Sequence, residues 1–295
     1  MILENLDLST DDPRVMFAAL LINALTAVRS THEVVIYATG YDGPIDNADS
    51  WRYFDFQRAT TIVTLGGGVP SKLIARGRAT GTAVVRGEVF DIDATNTTAV
   101  TSWIGDAVER SAAADGLHVV AIRAQHEGRS RAVTAAFKQL RTALNDSAQL
   151  SVMLPLTPGA DVDRAAIADI VDFVVLAAFD QNVGSLNPEP NIAIATLKAA
   201  LKASAKLVDP MKTVVALPWW GYDYRCRSDD ASGQAAACNS EPPRGTAAVW
   251  HGWNVQRSVA IINVIANRQQ VAAPSLNSTT QEMTLRYADE VRSHS

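Results

Sequence analysis

The residues best suited to hold a ligand stand in one run, Pro218-Trp219-Trp220-Gly221-Tyr222-Asp223-Tyr224. Indole and phenol rings are flat apolar platforms with polar edges, which suits the alternating C–H and O–H faces of a pyranose ring. The same run would also serve as an aromatic plug. Two carboxylates end short β-branched runs: Glu88 in Gly87-Glu88-Val89, and Asp180 in Ala178-Phe179-Asp180-Gln181. His118 lies inside another such run and is either a hydrogen-bonded core histidine or a site residue. Histidines 32, 126, 251 and 294 show no ligand spacing, and His126-Glu127 lacks the second His of a zinc protease motif. Asp91 and Asp93 read as a loop turn before a metal pair. Gly66-Gly67-Gly68 lacks the following Gly-Lys-Ser/Thr of a phosphate cradle and reads as a tight turn. Cys226 and Cys238 form either a local disulfide or two free thiols; no further Cys or His pair completes a zinc set. No metal or cofactor is expected.

These side chains need elements to position them. Seven β-branched runs read as strands, at Glu33–Thr39, Thr60–Leu65, Ala83–Phe90, Gly116–Ile122, Leu150–Leu156, Asp172–Phe179 and Thr213–Leu217. Most are apolar on both faces, as parallel strands covered by helices require. Apolar residues at three- and four-residue spacing predict helices over Thr97–Ala113, Ser130–Asn145, Ile192–Leu207 and Trp253–Asn267, with a shorter one at 163–171 and a polar one over Thr279–Ser293. Strand–helix–strand units without a glycine-rich dinucleotide turn favour a TIM-type (β/α)8 barrel, with no eighth strand visible. The aromatic run and Asp180 then sit at the C-terminal ends of strands seven and six, the face that carries TIM-barrel sites.

The composition agrees. The chain has 295 residues, 26 Lys and Arg against 31 Asp and Glu, and 19% charged residues, which argues against a nucleic-acid footprint. No apolar run reaches the roughly 18–20 residues of a membrane span. Residues 1–31 form a separate N-terminal segment and 32–295 the barrel. Within the first, Val15–Val28 is either a poor signal-type stretch without a basic start or an amphipathic helix. Asn96, Asn145 and Asn277 stand in glycosylation sequons, so the expected route is secretory or lysosomal.

The order of these segments resembles glycoside hydrolase family 18, in particular its di-N-acetylchitobiase branch. The resemblance rests on Trp51-Arg52-Tyr53-Phe54-Asp55-Phe56 followed by Thr60–Thr64, on Gly87-Glu88-Val89, and on Asp172–Asp180. Its most specific part is Leu217-Pro218-Trp219-Trp220-Gly221-Tyr222-Asp223-Tyr224-Arg225-Cys226, with Arg244-Gly245 after it. It spans roughly residues 32 to 292. It implies a barrel acting on N-acetylglucosamine oligosaccharides, with Trp219, Tyr222, Asp180 and Glu88 at the sugar.

The resemblance breaks in the fourth strand. The family reads Asp-Gly-aliphatic-Asp/Asn-aliphatic-Asp-aliphatic-Glu; this chain reads Asp115-Gly116-Leu117-His118-Val119-Val120-Ala121-Ile122. Strict alternation puts positions 118, 120 and 122 on the barrel interior. The resemblance implies that the last position donates the proton while the substrate's acetamido group attacks, and that the Asp two residues earlier steadies the intermediate. Ile122 has no proton to give, and Val120 cannot support positive charge. The Tyr expected at the sixth strand's end is Phe179, without its hydroxyl. Glu127, in the following loop, is a remote substitute acid.

The expectation is therefore a catalytically inactive homologue that binds N-acetylglucosamine oligosaccharides. The alternatives are a weakly active glycosidase of chitobiose-type linkages and a truncated fragment with neither property. A shallow cleft is expected, because about 50 residues stand where the family carries a long insertion. Without an eighth strand, strands one and seven have open edges, which Met1–Arg29 would cover.

Overall fold

The computed structural model describes residues 33–38, 51, 54–66, 68–122, 130–157, 162–181, 190–218, 220–224, 254–258, 275–276 and 283–284. Seven strands, β1 (Val35–Ala38), β2 (Thr61–Leu65), β3 (Ala83–Phe90), β4 (Gly116–Ile122), β5 (Gln149–Pro155), β6 (Phe173–Ala177) and β7 (Thr213–Ala216), pair in parallel in chain order. They make a nearly closed barrel. Among the described residues, no strand pairs with the outer edge of β1 or β7.

The connecting helices are α1 (Ser71–Thr80), α2 (Thr97–Ser111), α3 (Ser130–Ala143), α4 (Arg164–Ala168) and α5 (Ile194–Ser204). Asn96 starts α2 by accepting from Ala99 N–H at 3.1 Å, and Asp163 starts α4 by accepting from Ala166 N–H at 3.0 Å. α1 ends at Gly81, whose φ of 69° is the left-handed cap that glycine adopts without a Cβ penalty. α1 lies outside the helices expected from the sequence. Only Leu73, Ile74 and Gly77 of its ten residues are buried, so its apolar stripe is narrow. Gly77 lets α1 lie close on β3, because a Cβ there would stand 2.6 Å from Thr82 O and Val84 Cγ2.

Two corrections concern the C-terminal quarter. Within the helix expected over Trp253–Asn267, residues Asn254–Ser258 are a strand (β9), antiparallel to the aromatic run Trp220–Tyr224 (β8). Within the helix expected over Thr279–Ser293, Met283–Thr284 (β11) pairs antiparallel with Ser275–Leu276 (β10). Helix-like spacing in the sequence gave way to tertiary strand pairing.

The register divides each strand between two faces. Outward side chains Leu117, Val119, Leu150, Val152, Leu154, Val174 and Leu176 pack with Ile104, Ala107, Phe137 and Leu140 of α2 and α3. A second outer cluster joins Ala38, Ile62 and Val84 to Leu73, Ile74, Trp51 and Phe56. Each such fully buried aliphatic side chain contributes about 1.5–3 kcal/mol of transfer free energy. The opposite parity fills the barrel interior with Tyr37, Val63, Val85, Gly87, His118, Ser151, Phe173 and Val175. Among the described residues, no helix is long and apolar enough to cross a membrane.

Candidate functional site at the C-terminal ends of the strands

The fourth strand carries the first departure from strict alternation. Glu88 pairs with Val119, but the next residue, Val89, pairs with Ala121, so Val120 is an extra residue on β4. Such a bulge reverses the facing of everything after it. His118 remains inside. Val120 also turns inward, since a Cβ on Gly87 would lie 3.2 Å from Val120 Cγ1 and 2.5 Å from Leu65 Cδ2. Ile122 does not: it pairs with Phe90 and packs against the outer cluster under α2 and α3. The expectation that 118, 120 and 122 share the interior is thus corrected at 122. The bulge belongs to the β3–β4 pairing and leaves no mark in the β4 sequence.

His118 is fully buried, and its ring spans the barrel. Nε2 lies 3.0 Å from the Tyr37 hydroxyl of β1, and Nδ1 lies 2.8 Å from Ser151 Oγ of β5. Tyr37 also meets the imidazole edge-on, with ring centroids 5.4 Å apart. Both ring nitrogens are occupied by neutral hydroxyls, and burial pushes the imidazole pKa down to about 3. Burial also raises the Tyr37 phenol, which stays protonated. The better hydroxyl donor is the phenol, so Tyr37 O–H donates to Nε2 and Nδ1–H donates to Ser151 Oγ. Of the two readings of His118, the hydrogen-bonded core histidine describes this geometry. Its partners were legible only as inward positions of other strands.

Glu88 stands on the opposite face. Its carboxylate accepts from Arg86 Nε at 3.0 Å and from Arg110 Nε of α2 at 2.8 Å, and its side chain is 13% exposed. The hydrogen bond to Glu88 raises the Arg110 pKa. Glu88 shares outward parity with Val84 and Phe90, so it is not brought together with Asp180 at the barrel mouth.

Asp180 is at the mouth, just past β6, with the non-glycine φ of 56°. Asp tolerates this region better than most residues, at a cost of order 1 kcal/mol. The turn is pinned by Asn191: Asp180 N–H donates to Asn191 Oδ1, and Gln181 N–H donates to Asn191 O at 3.2 Å. Gln181 Nε2 returns to Phe179 O at 2.9 Å, which fixes the half-buried Phe179 beside it. At the end of β5, buried Arg164 of α4 donates to Pro155 O and Leu156 O and ties the helix to the strand end. Burial lowers its pKa.

Tyr222 lies on β8, opposite Gln256 of β9. Trp219, Glu127, Cys226, Cys238 and residues 1–31 lie outside the described residues. Inward positions near the mouth are Leu65, Val89, Val120, Met153, Ala177 and Ala216, and none carries a charge. Among the described residues, no cluster of His, Cys, Asp and Glu has the makings of a metal site.

No family model matches the chain. A curated relative, di-N-acetylchitobiase of Homo sapiens, is 24% identical over 201 residues, 60% of this chain and 50% of that protein. The chain therefore spans about half the length of the curated relatives it matches. Among solved structures, the spore cortex-lytic enzyme SleL of Bacillus cereus superposes with a TM-score of 0.69 at 15% identity, over 88% of this chain and 63% of that one. The Ostrinia furnacalis Group IV chitinase, solved in complex with allosamidin, gives 0.66 at 15%, over 87% and 83%. The shared architecture is the barrel of the chitinases.

Proposed function

We propose that this chain, a chitobiase-like relative of glycoside hydrolase family 18, binds N-acetylglucosamine oligosaccharides at its barrel mouth without cleaving them. The observation that carries the reading is the interior face of β4. A neutral, doubly hydrogen-bonded His118 and the aliphatic Val120 occupy it, and Ile122 has turned to the outer cluster. Substrate-assisted cleavage needs a carboxylic acid at the glycosidic oxygen, and a missing general acid costs about 10²–10⁴ in rate. Phe179 further lacks the hydroxyl that would hold the acetamido oxygen.

Binding requires less. Asp180 sits pinned at the rim, and Trp219 and Tyr222 belong to the run that follows β7. An aromatic platform with one carboxylate at its edge recognises a sugar by stacking and by hydrogen bonds to its hydroxyls. The ligand proposal is in line with the named chitinase relatives. The same reading carries a secretory or lysosomal route, checked by a mass shift on enzymatic deglycosylation of the protein from its native source.

The test is direct. Incubation with chitooligosaccharides should release no reducing ends, while calorimetric titration with N,N′-diacetylchitobiose should show binding that Trp219→Ala and Asp180→Ala weaken. Release of reducing ends that disappears in Glu127→Gln would replace the reading with a weakly active glycosidase. Absence of binding at millimolar sugar would remove the ligand.

A further inference from the structure

The Tyr37–His118–Ser151 chain, centred on the fully buried His118, joins edge strand β1 to the adjacent pair β4 and β5. Among the described residues, β1 is the sheet's edge and has one ladder partner, β2, through four registered pairs. Its outward Ile36 and Ala38 pack under the α1 side of the sheet. Its inward Tyr37 reaches past β2 and β3 to His118 on β4, which in turn reaches Ser151 on β5. The path is open because the intervening inward residues are Val63, Val85 and Gly87, and Gly87 pairs with His118 itself. The imidazole thus acts as a strut between an edge strand and the middle of the sheet. We propose that this strut is an acid-sensitive latch: proton uptake by His118 releases β1 from the barrel.

Among the described residues, the surroundings of His118 supply no counter-charge. β2, β5, β6 and β7 carry no ionisable residue. Glu33, before β1, receives a hydrogen bond from the exposed Thr60 hydroxyl. On β3, Arg86 and Glu88 lie on the outer face and bind each other and Arg110. Asp115, before β4, is held by Arg78 and by Val84 N–H at the strand's lower end. The remaining neighbours, Tyr37 and Ser151, are neutral hydroxyls. A protonated imidazole here is therefore a buried charge with dipoles for company, and it is stabilised by letting water in. Among the described pairings, the cheapest opening is at β1, which loses one ladder and one inward hydroxyl; β4, β5 and β6 would each lose two ladders.

The sign follows from linkage. The opened state takes up a proton near the ordinary value of 6.5, and the closed state resists it by burial, so opening becomes more favourable as pH falls below 6.5. With one proton gained per opening, the opening constant rises about tenfold for each pH unit over that range. Above pH 6.5 the latch is closed and its stability does not depend on pH.

Hydrogen exchange on the full chain, corrected for intrinsic rates, tests the idea between pH 7.5 and pH 4.5. The protection of Val35–Ala38 should fall about tenfold per unit below 6.5, while amides of β4–β6 retain theirs. His118→Asn should flatten the slope, and Tyr37→Phe should lower β1 protection at pH 7.5 while keeping the slope. Equal loss of protection in β1 and β4–β6 would overturn the latch in favour of global unfolding. A slope that His118→Asn leaves unchanged would assign the proton to another group. Should His118→Asn fail to fold, the His118 nitrogen shifts in the wild-type chain decide: a ring that protonates while β1 remains protected sinks the proposal.

Discussion

At the N-terminal ends of the strands, backbone groups that the sheet leaves over are taken up by carboxylates; at the C-terminal ends, the chain departs from regular geometry. Asp115 accepts from Val84 N–H at 3.0 Å and from Arg78 of α1, and Asp172 accepts from Leu150 N–H at 2.7 Å with Arg141 of α3 at 3.7 Å. Both are the same device, two βα units apart. An aspartate just before a strand caps the preceding strand and pairs with an Arg from the last turn of the helix before it. The opposite rim holds the β4 bulge, the positive φ of Asp180 and the 41% exposed Val89. One end is built for registration and the other is released from it, which is the division that TIM-barrel sites follow.

Substitutions at the two ends should therefore separate stability from binding. The largest stability loss is expected from Gly116→Ala at the lower rim. A Cβ there would stand 2.1 Å from Gln149 O and 2.6 Å from Gln149 N, backbone that cannot rotate away. The expected cost is about 3–5 kcal/mol in denaturant unfolding; a loss below 1 kcal/mol would show that β4 and β5 slide freely. Next comes the double change Val120→Asp with Ile122→Glu. Because Ile122 lies in the outer cluster, it should cost about 2–3 kcal/mol and create no chitooligosaccharide hydrolysis. Hydrolysis by that variant would mean that β4 carries no bulge in solution.

Smaller still is Asp115→Ala, which leaves Val84 N–H without its acceptor and should cost about 1–2 kcal/mol while sugar titration stays unchanged. The smallest stability effect belongs to the upper rim. Asp180→Gly removes the left-handed penalty and should alter stability by less than about 1 kcal/mol, yet weaken binding of N,N′-diacetylchitobiose. A large destabilisation there, with binding intact, would reverse the comparison.

Much of the barrel could be read from the chain alone. The β3 and β4 ranges agree residue for residue, and the other five strands lie within one or two residues of the expected ends, because long β-branched runs between polar turns have few alternatives. Local pattern misleads where the decisive partner is remote. Ile122 changes face because β3 and β4 slip by one residue, a property of two strands that neither contains. Asn254–Ser258 has helical spacing but finds Trp220–Tyr224 to pair with. Glu88 looks like a rim carboxylate in the sequence, but the parity of β3 turns it outward, where it meets Arg110 of α2.

The sequence by itself determined the order of strands and helices, and it determined that the fourth strand, Gly116–Ile122, carries no acid. Those are local facts, set by side-chain type and short-range periodicity. Only the tertiary structure decided which side chains face one another. It placed His118 between Tyr37 and Ser151, 81 and 33 residues away along the chain. A buried imidazole acquires its protonation state from such neighbours and from the absence of water, and both exist only after the barrel has formed.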